Sequence, residues 1–243
     1  MNREFCIVLG AQGMGKSLWA KLKTRGENRL FVYDPMASFP RVLFADAESY
    51  AESIINGRDI FRLGSSLFHD LPLLGSLSFV AGDCTFVVEE CGTIFVRGEE
   101  LADWLKRVVY MGRHQSVNLY LVAQRAASIP IAVRSQANRV VTFRQYERDD
   151  LGALTSVLGR DTANALPSLP PYVCFDWQDG KTDQYSVEAD ARRFLPLPKG
   201  GVDERMSRRQ PDVKIGSEEK DDATHSDVRR DGGGDSDGGH GDR

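Results

Sequence analysis

Eight residues, Gly10-Ala11-Gln12-Gly13-Met14-Gly15-Lys16-Ser17, constrain this chain more than any other segment. They fit a loop whose glycines let backbone N–H groups curl around an anionic phosphate. Such a loop works only between a strand and a helix, and the flanks supply both. Phe5–Leu9 is a compact apolar run, as expected of a strand buried on both faces of a parallel sheet. Lys16–Lys23 reads as a helix whose positive dipole end points at the anion. Gly10, Gln12, Gly13, Met14, Gly15, Lys16 and Ser17 are therefore the expected nucleotide-binding residues. Lys16 would supply charge to the β- and γ-phosphates and the Ser17 hydroxyl would reach Mg2+, which makes ATP and Mg2+ the expected cofactors.

Further strands are expected at Leu30–Tyr33, Asp59–Leu63, Thr85–Val88, Asn118–Ala123 and Arg139–Phe143. Helices are expected over Ala45–Ile55, Ser65–Leu77, Glu99–Met111, Ile131–Ala137, Glu147–Leu158 and Asp161–Leu166. In Glu99–Met111, Leu101, Trp104, Leu105 and Val108 share one face. Tyr172–Trp177 and Gln184–Val187 flank Asp179-Gly180, a hairpin signal. Strands alternating with helices predict an α/β fold, a mostly parallel sheet covered on both faces. The expected class is a RecA-like P-loop NTPase with a C-terminal β-hairpin. After about Pro198 the sequence turns charged, Gly- and Ser-rich and free of aromatics, so 1–197 reads as the ATPase domain and 198–243 as a disordered tail.

Charge excludes one easy reading. From Gly201 onward there are 12 acidic and 8 basic residues, which accounts for the whole net charge of -4. The first 200 residues are neutral, with 23 charges of each sign. No global basic field advertises nucleic acid, so any DNA contact needs a local patch or an assembled ring. Cys6, Cys84, Cys91 and Cys174 form no CxxC pair, which points to a reducing compartment. The four histidines do not cluster. The longest uncharged apolar stretch, Leu71 to Gly82, is too short to span a bilayer, and Met1-Asn2-Arg3-Glu4 leads straight into a strand without a signal peptide. A soluble protein is expected.

Two further motifs carry chemistry. Thr85-Phe86-Val87-Val88-Glu89-Glu90 ends a strand in two carboxylates. Glu89 is assigned to the metal and Glu90 to polarising the attacking water as a general base. Aspartate is usual at the first position, which leaves the division of labour between these glutamates open. Asn118-Leu119-Tyr120-Leu121-Val122-Ala123-Gln124-Arg125 ends a strand in an amide. Gln124 would sense the γ-phosphate, or else make only backbone hydrogen bonds. Transition-state charge also calls for an arginine, commonly from a neighbouring subunit. Arg113, Arg125, Arg139 and Arg144 are candidates, and Arg113 is preferred because it lies between the Glu99–Met111 helix and the Gln124 strand.

The stretch Gly112-Arg113-His114-Gln115-Ser116-Val117, continuing through that strand to Gln124-Arg125, resembles the FtsK–HerA superfamily of DNA-pumping ATPases. Ile129-Pro130 and Ala137-Asn138-Arg139-Val140-Val141-Thr142-Phe143 are similar to its succession of short helix and strand. The resemblance covers about Phe5 to Gly159. The small size of the chain is similar to the genome-packaging ATPases of tailless viruses with an internal membrane. That resemblance implies an ATP-hydrolysing motor that translocates double-stranded DNA and works as a homo-oligomeric ring at a virion vertex or in the host cytoplasm. Capsid or membrane-associated viral proteins are its implied further partners. Pore loops would contact the DNA backbone, with Arg97, Arg107 and Arg134 as phosphate-contact candidates. The alternatives are a filamentous-phage assembly ATPase resembling the zonular-toxin family, a nucleotide-dependent switch, and a small-molecule kinase. The expected absence of a spanning segment and of an arginine-rich lid weighs against the first and last.

Overall fold

The two faces of β1 (Phe5–Leu9), which is buried along its whole length, show how the molecule is layered. Phe5, Ile7 and Leu9 enter one apolar cluster, and Cys6 and Val8 enter a second on the opposite face. A strand buried on both sides must be central, which is why its sequence is apolar throughout instead of alternating. The structure is a computed structural model that describes residues 3–44, 54, 60–96, 98–188 and 193–197. The described elements fall in one contact unit, Met1–Arg208, and the second unit, Arg209–Arg243, lies outside the described residues.

In chain order the other elements are α1 (Lys16–Lys23), β2 (Arg29–Tyr33), β3 (Leu43–Phe44), β4 (Phe61–Ser65), α2 (Leu71–Ala81) and β5 (Cys84–Val88). Then come α3 (Asp103–Lys106), β6 (Val117–Ala123), α4 (Ile131–Arg134), β7 (Arg139–Thr142), α5 (Arg148–Leu158) and α6 (Arg160–Ala165), followed by β8 (Val173–Gln178), β9 (Lys181–Glu188) and β10 (Arg193–Leu197). Among the described residues ten strands form one sheet, in the order β10-β9-β8-β7-β1-β6-β5-β2-β4-β3. From β7 to β3 every neighbour is parallel, and β8, β9 and β10 add an antiparallel meander beyond β7. The expected α/β architecture is present. Helix α1 covers one face through Trp19 and Ala20, whereas α2, α3 and α5 cover the other through Leu71, Leu74, Leu105, Leu154 and Leu158. Burying such a side chain stabilises the fold by about 1.5–3 kcal/mol.

Several elements differ from the sequence-based expectation. Ser65 closes β4, and the helix expected at Ser65–Leu77 runs from Leu71 to Ala81 after a single 3-10 turn, Phe68–Asp70. Pro72 sits in the first turn of α2, where its missing N–H costs nothing. Gly75 lets α2 approach α3, because a Cβ there would lie 2.2 Å from the Trp104 ring. The helix expected over Glu99–Met111 starts only at Asp103 and widens into a π-helical turn over Arg107–Met111. Two carbonyls of that turn, on Val108 and Val109, accept from the Arg3 guanidinium at 2.6 and 2.9 Å. The helix at Ile131 ends by Arg134, not Ala137. The Asp179-Gly180 hairpin forms, with both residues at positive φ (50° and 80°) as a tight primed turn requires. The helix expected over Ala45–Ile55, apart from Ile54, and the tail at 198–243 lie outside the described residues, as does Arg97.

A buried ion network fastens the junction where parallel pairing changes to antiparallel. Arg139 on β7 donates Nε to Asp176 on β8 at 2.9 Å, and its Nη1 reaches both Glu4 oxygens at 3.2 Å. The Tyr120 hydroxyl on β6 donates to Glu4 at 2.8 Å, and the guanidinium lies 5.2 Å from the Trp19 ring centre on α1. Three strands, the residue that leads into β1 and a helix thus share one charge cluster.

Candidate functional site

In a parallel sheet all carboxyl ends fall on one edge, and the loops leaving them form the natural crevice for a ligand. Here that edge gathers the loop after β1, Asp34 after β2, Glu89 and Glu90 after β5, Gln124 after β6, and Phe143 to Gln145 after β7. The strand carrying the two glutamates is not adjacent to β1, since β6 lies between them. The glutamates nevertheless reach the loop.

The loop is shaped by three glycines at positive φ: Gly10 at 150°, Gly13 at 75° and Gly15 at 111°. At Gly10 a Cβ would lie 2.6 Å from the Phe143 Cβ, and at Gly15 one would lie 2.9 Å from the Tyr172 ring. Backbone contacts fix the outside of the loop. Phe143 N–H donates to the Leu9 carbonyl at 2.8 Å, Ala11 N–H to Arg144 O at 2.9 Å, and Tyr172 N–H to Met14 O at 2.9 Å. Distant residues thus hold the exterior while the glycines leave the interior to backbone N–H groups.

Lys16 is 6% exposed and donates its amine to the Ala11 carbonyl at 3.0 Å. Burial pulls its pKa down, and Glu90 and Glu89 oppose that pull. The Ser17 hydroxyl donates to Glu89 Oε2 at 3.1 Å. The other carboxylate oxygen, Oε1, is buried with no hydrogen-bond partner. Burial pushes the Glu89 carboxyl up to about 7; the Ser17 hydrogen bond counters this and the charge of Asp34 adds to it. A hydroxyl beside an orphaned carboxylate oxygen suits Mg2+, which keeps several waters and takes one or two carboxylates in addition to phosphate oxygens. No cluster of three His, Cys, Asp or Glu ligands occurs among the described residues. The residues present therefore fit a nucleotide-bound Mg2+ and not an all-protein metal cage.

Glu90 adopts a left-handed backbone at φ 51° and opens a 3-10 turn, Cys91–Ile94. This turns its side chain toward Gln124, whose amide donates to both Glu90 oxygens at 3.2 and 3.4 Å. The Gln124 side chain thus makes more than backbone hydrogen bonds: it contacts the carboxylate that follows the neighbouring strand β5. Gln145, which no motif singles out, donates to the Gln124 carbonyl at 2.9 Å and is 3% exposed. Asp34 directly follows β2. Its carboxylate accepts from Met36 N, Ser38 N and Ser38 Oγ at 2.7–2.9 Å, so it is occupied with shaping its own turn.

The arginine candidates separate. Arg139 is committed to Glu4 and Asp176. Arg125 pairs with Asp150 at 3.1 Å. Arg144 donates Nε to the Leu169 carbonyl, close to the loop its own carbonyl anchors. Arg113 lies in a 3-10 turn, Gly112–Gln115, just before β6. It therefore stands at the opposite edge from Gln124, a separation of roughly 20 Å along the seven-residue strand. Arg113 is exposed, contacts only His114 at 3.3 Å among described side chains, and does not join the site of its own chain.

The four cysteines are buried and unpaired. No helix among the described residues is long and apolar enough to cross a membrane.

No family model and no curated protein matches this sequence. Solved structures do match by fold. The genome packaging NTPase B204 of Sulfolobus turreted icosahedral virus 2, in complex with sulfate, superposes with a TM-score of 0.62 at 16% identity, covering 76% of this chain and 96% of B204. The same protein in complex with ATP-gammaS gives 0.61 at 15% identity, over 81% and 97%. VirB4 of Thermoanaerobacter pseudethanolicus gives 0.51 at 12% identity, over 76% and 89%. The chain thus has the P-loop fold seen in a packaging ATPase.

Proposed function

We propose that this chain is an ATP hydrolase that translocates double-stranded DNA as a viral genome-packaging motor. The observation that carries the hydrolase reading is the Ser17–Glu89 pair with its orphaned oxygen, set one residue from the Glu90–Gln124 contact. A switch that only binds nucleotide has no need of a second carboxylate held against an amide. The packaging reading is supported by the fold likeness to B204, described as a genome packaging NTPase and determined with sulfate and with ATP-gammaS.

In this reading Gly10, Gln12, Gly13, Met14 and Gly15 wrap the phosphates with backbone N–H groups, and Lys16 exchanges the Ala11 carbonyl for a phosphate oxygen. Ser17 and Glu89 hold Mg2+, which neutralises phosphate charge when bound. Glu90 accepts the proton of the attacking water, and Gln124 holds that water in line. Arg113, distant from its own loop, serves the loop of a neighbouring subunit in a homo-oligomeric ring. Residues 1–197 form the motor and 198–243 a solubilising or docking tail. Such a motor would work free in the host cytoplasm or at the virion vertex, against capsid or membrane-associated viral proteins.

The test is steady-state ATP hydrolysis with and without double-stranded DNA, with Lys16→Ala as the control. Stimulation by DNA that disappears in the variant supports a translocase. Hydrolysis indifferent to DNA at low salt replaces it with a partner-activated assembly ATPase.

A further inference from the structure

The charges of residues 1–200 cancel, yet the described lining of one cavity collects four cations and no carboxylate. It lies between the outer face of α1 and the turn that joins β2 to β3, has a volume of about 270 Å³, and is lined by Lys21, Arg25, Arg41 and Arg62 with Ser38 and Pro40. Arg62 builds the frame. Its guanidinium donates to the carbonyls of Thr24, Glu27, Pro40 and Arg41, which ties the end of α1 to the Arg41 turn. Burial and the nearby Arg41 depress its pKa, and the charge of Glu27 opposes them. Lys21 donates to Ser38 Oγ at 2.8 Å and lies 5.5 Å from the Phe39 ring centre. The guanidinium groups of Arg25 and Arg41 are exposed and make no hydrogen bond or ion pair with any described residue. Arg41 also holds a left-handed backbone at φ 57°, which aims a non-glycine residue against its conformational preference.

We propose that Lys21, Arg25, Arg41 and Arg62 form a binding site for the phosphodiester backbone of DNA. The cavity is smaller than the roughly 300–1,000 Å³ of pockets that enclose whole small molecules. It suits a phosphate group approaching from solvent. Arg25 follows Lys21 by four residues, in the turn just past the end of α1 at Lys23, with Arg41 beside them. They present a row of cations and not a point, which matches a chain of phosphates better than one free ion. Guanidinium forks without a carboxylate partner among the described residues are the donors best suited to phosphate oxygens. The contacts would carry no base information, as a motor moving any genome requires.

Position adds a consequence. Ser17 and Lys21 stand four residues apart on α1, so they share one stripe of the helix that begins at the phosphate loop. DNA held at Lys21 would pull on the same rigid element that presents Ser17 to the nucleotide. The identity of the anion as DNA rests on the motor reading above.

The experiment measures binding of a fluorescent duplex across 50–200 mM salt to the full chain and to Arg25→Gln/Arg41→Gln. Neither side chain supports the described structure, and Arg148→Gln/Arg160→Gln, at two exposed positions elsewhere, serves as a charge-matched control. Lys21→Gln is a second variant. Nucleotide binding is followed in parallel with a fluorescent ATP analogue. The expected result is weaker DNA binding in the double variant and a log–log salt slope shallower by about 1.8, near 0.9 for each lost phosphate contact, with nucleotide affinity retained. An unchanged slope and affinity, or an equal loss in Arg148→Gln/Arg160→Gln, would overturn the site while leaving the motor reading intact. A wild-type chain that fails to bind DNA would remove both. Inorganic pyrophosphate, measured in a Lys16→Ala background to silence the phosphate loop, separates the sources. If the double variant loses pyrophosphate but keeps DNA, the site serves free phosphate and the backbone assignment falls.

Discussion

Replacing Glu89 by Gln should stabilise the metal-free protein at alkaline pH while abolishing Mg2+-dependent hydrolysis. The carboxyl is 4% exposed, one oxygen has no partner, and burial raises its pKa from 4.5 to about 7. Below pH 4.5 both folded and unfolded chains hold the proton and the group is neutral to stability. As pH rises toward and beyond 7 the unfolded chain ionises freely, whereas the folded chain must bury a charge, so stability falls. At about 1.36 kcal/mol per pH unit the loss is capped at about 3.4 kcal/mol. Between pH 5 and pH 8 it should grow by about 2.5 kcal/mol. Gln cannot ionise. It keeps an acceptor for the Ser17 hydroxyl but puts an unsatisfied amide where Oε1 was, a cost of about 1–3 kcal/mol that does not vary with pH. Urea denaturation of both proteins at pH 5 and pH 8, without nucleotide or metal, reads the difference directly. The variant should gain on the wild type by about 2.5 kcal/mol over that interval, and saturating ATP with Mg2+ should protect the wild type alone. A wild-type-to-variant difference that stays flat with pH would refute the claim that Glu89 is a buried carboxylate waiting for a cation.

Other substitutions probe separate parts of the structure. Gly10→Ala places a Cβ 2.6 Å from that of Phe143, at a backbone φ of 150°. It should lower stability by at least about 2 kcal/mol, seen as a lower melting temperature together with lost nucleotide binding. Arg139→Ala leaves Glu4 and Asp176 without their shared cation and should cost about 3–5 kcal/mol in urea denaturation. Gln124→Ala removes an exposed amide that touches only Glu90, so hydrolysis should fall by about tenfold or more in kcat, with nucleotide affinity unchanged by fluorescence titration. Arg113→Ala should leave the melting temperature unchanged yet abolish hydrolysis. Mixing it with Lys16→Ala subunits should restore part of the activity, because interfaces that join the intact loop of one to the intact Arg113 of the other are then complete; failure to restore any would place the required arginine elsewhere.

The features legible in the sequence were those whose cause is local. Phe5–Leu9 is apolar at every position because both of its faces are covered, and glycine spacing marks the loop because those backbones need positive φ. Asp179-Gly180 announces its hairpin for the same reason. The apolar face of the Trp104 helix was readable, but not its late start at Asp103 or its wide last turn, which an arginine more than 100 residues upstream engages through two carbonyls. Ser65 looked helical beside a leucine-rich run, although pairing with Tyr33 across the sheet holds it in β4. Within the site, Lys16, Ser17, Glu89, Glu90 and Gln124 could be named from their motifs. Phe143, Tyr172 and Gln145 could not, since contact with a distant loop leaves no pattern in their own surroundings. The insertion of β6 between β1 and β5 was equally invisible, because strand order is decided by the helices that cover the sheet.

The dependence of the phosphate loop on Phe143, Arg144 and Tyr172 also sets a schedule for synthesis. The loop's own residues leave the ribosome early, but the walls that hold its exterior are made more than 120 residues later. At about 5–20 residues per second, that interval lasts on the order of ten to thirty seconds. During that time the nascent chain carries the complete motif without the shape that grips a nucleotide. A ribosome-bound fragment ending before Tyr172 should therefore ignore ATP, and the ability to capture it should appear late and abruptly, as the last strands join the sheet.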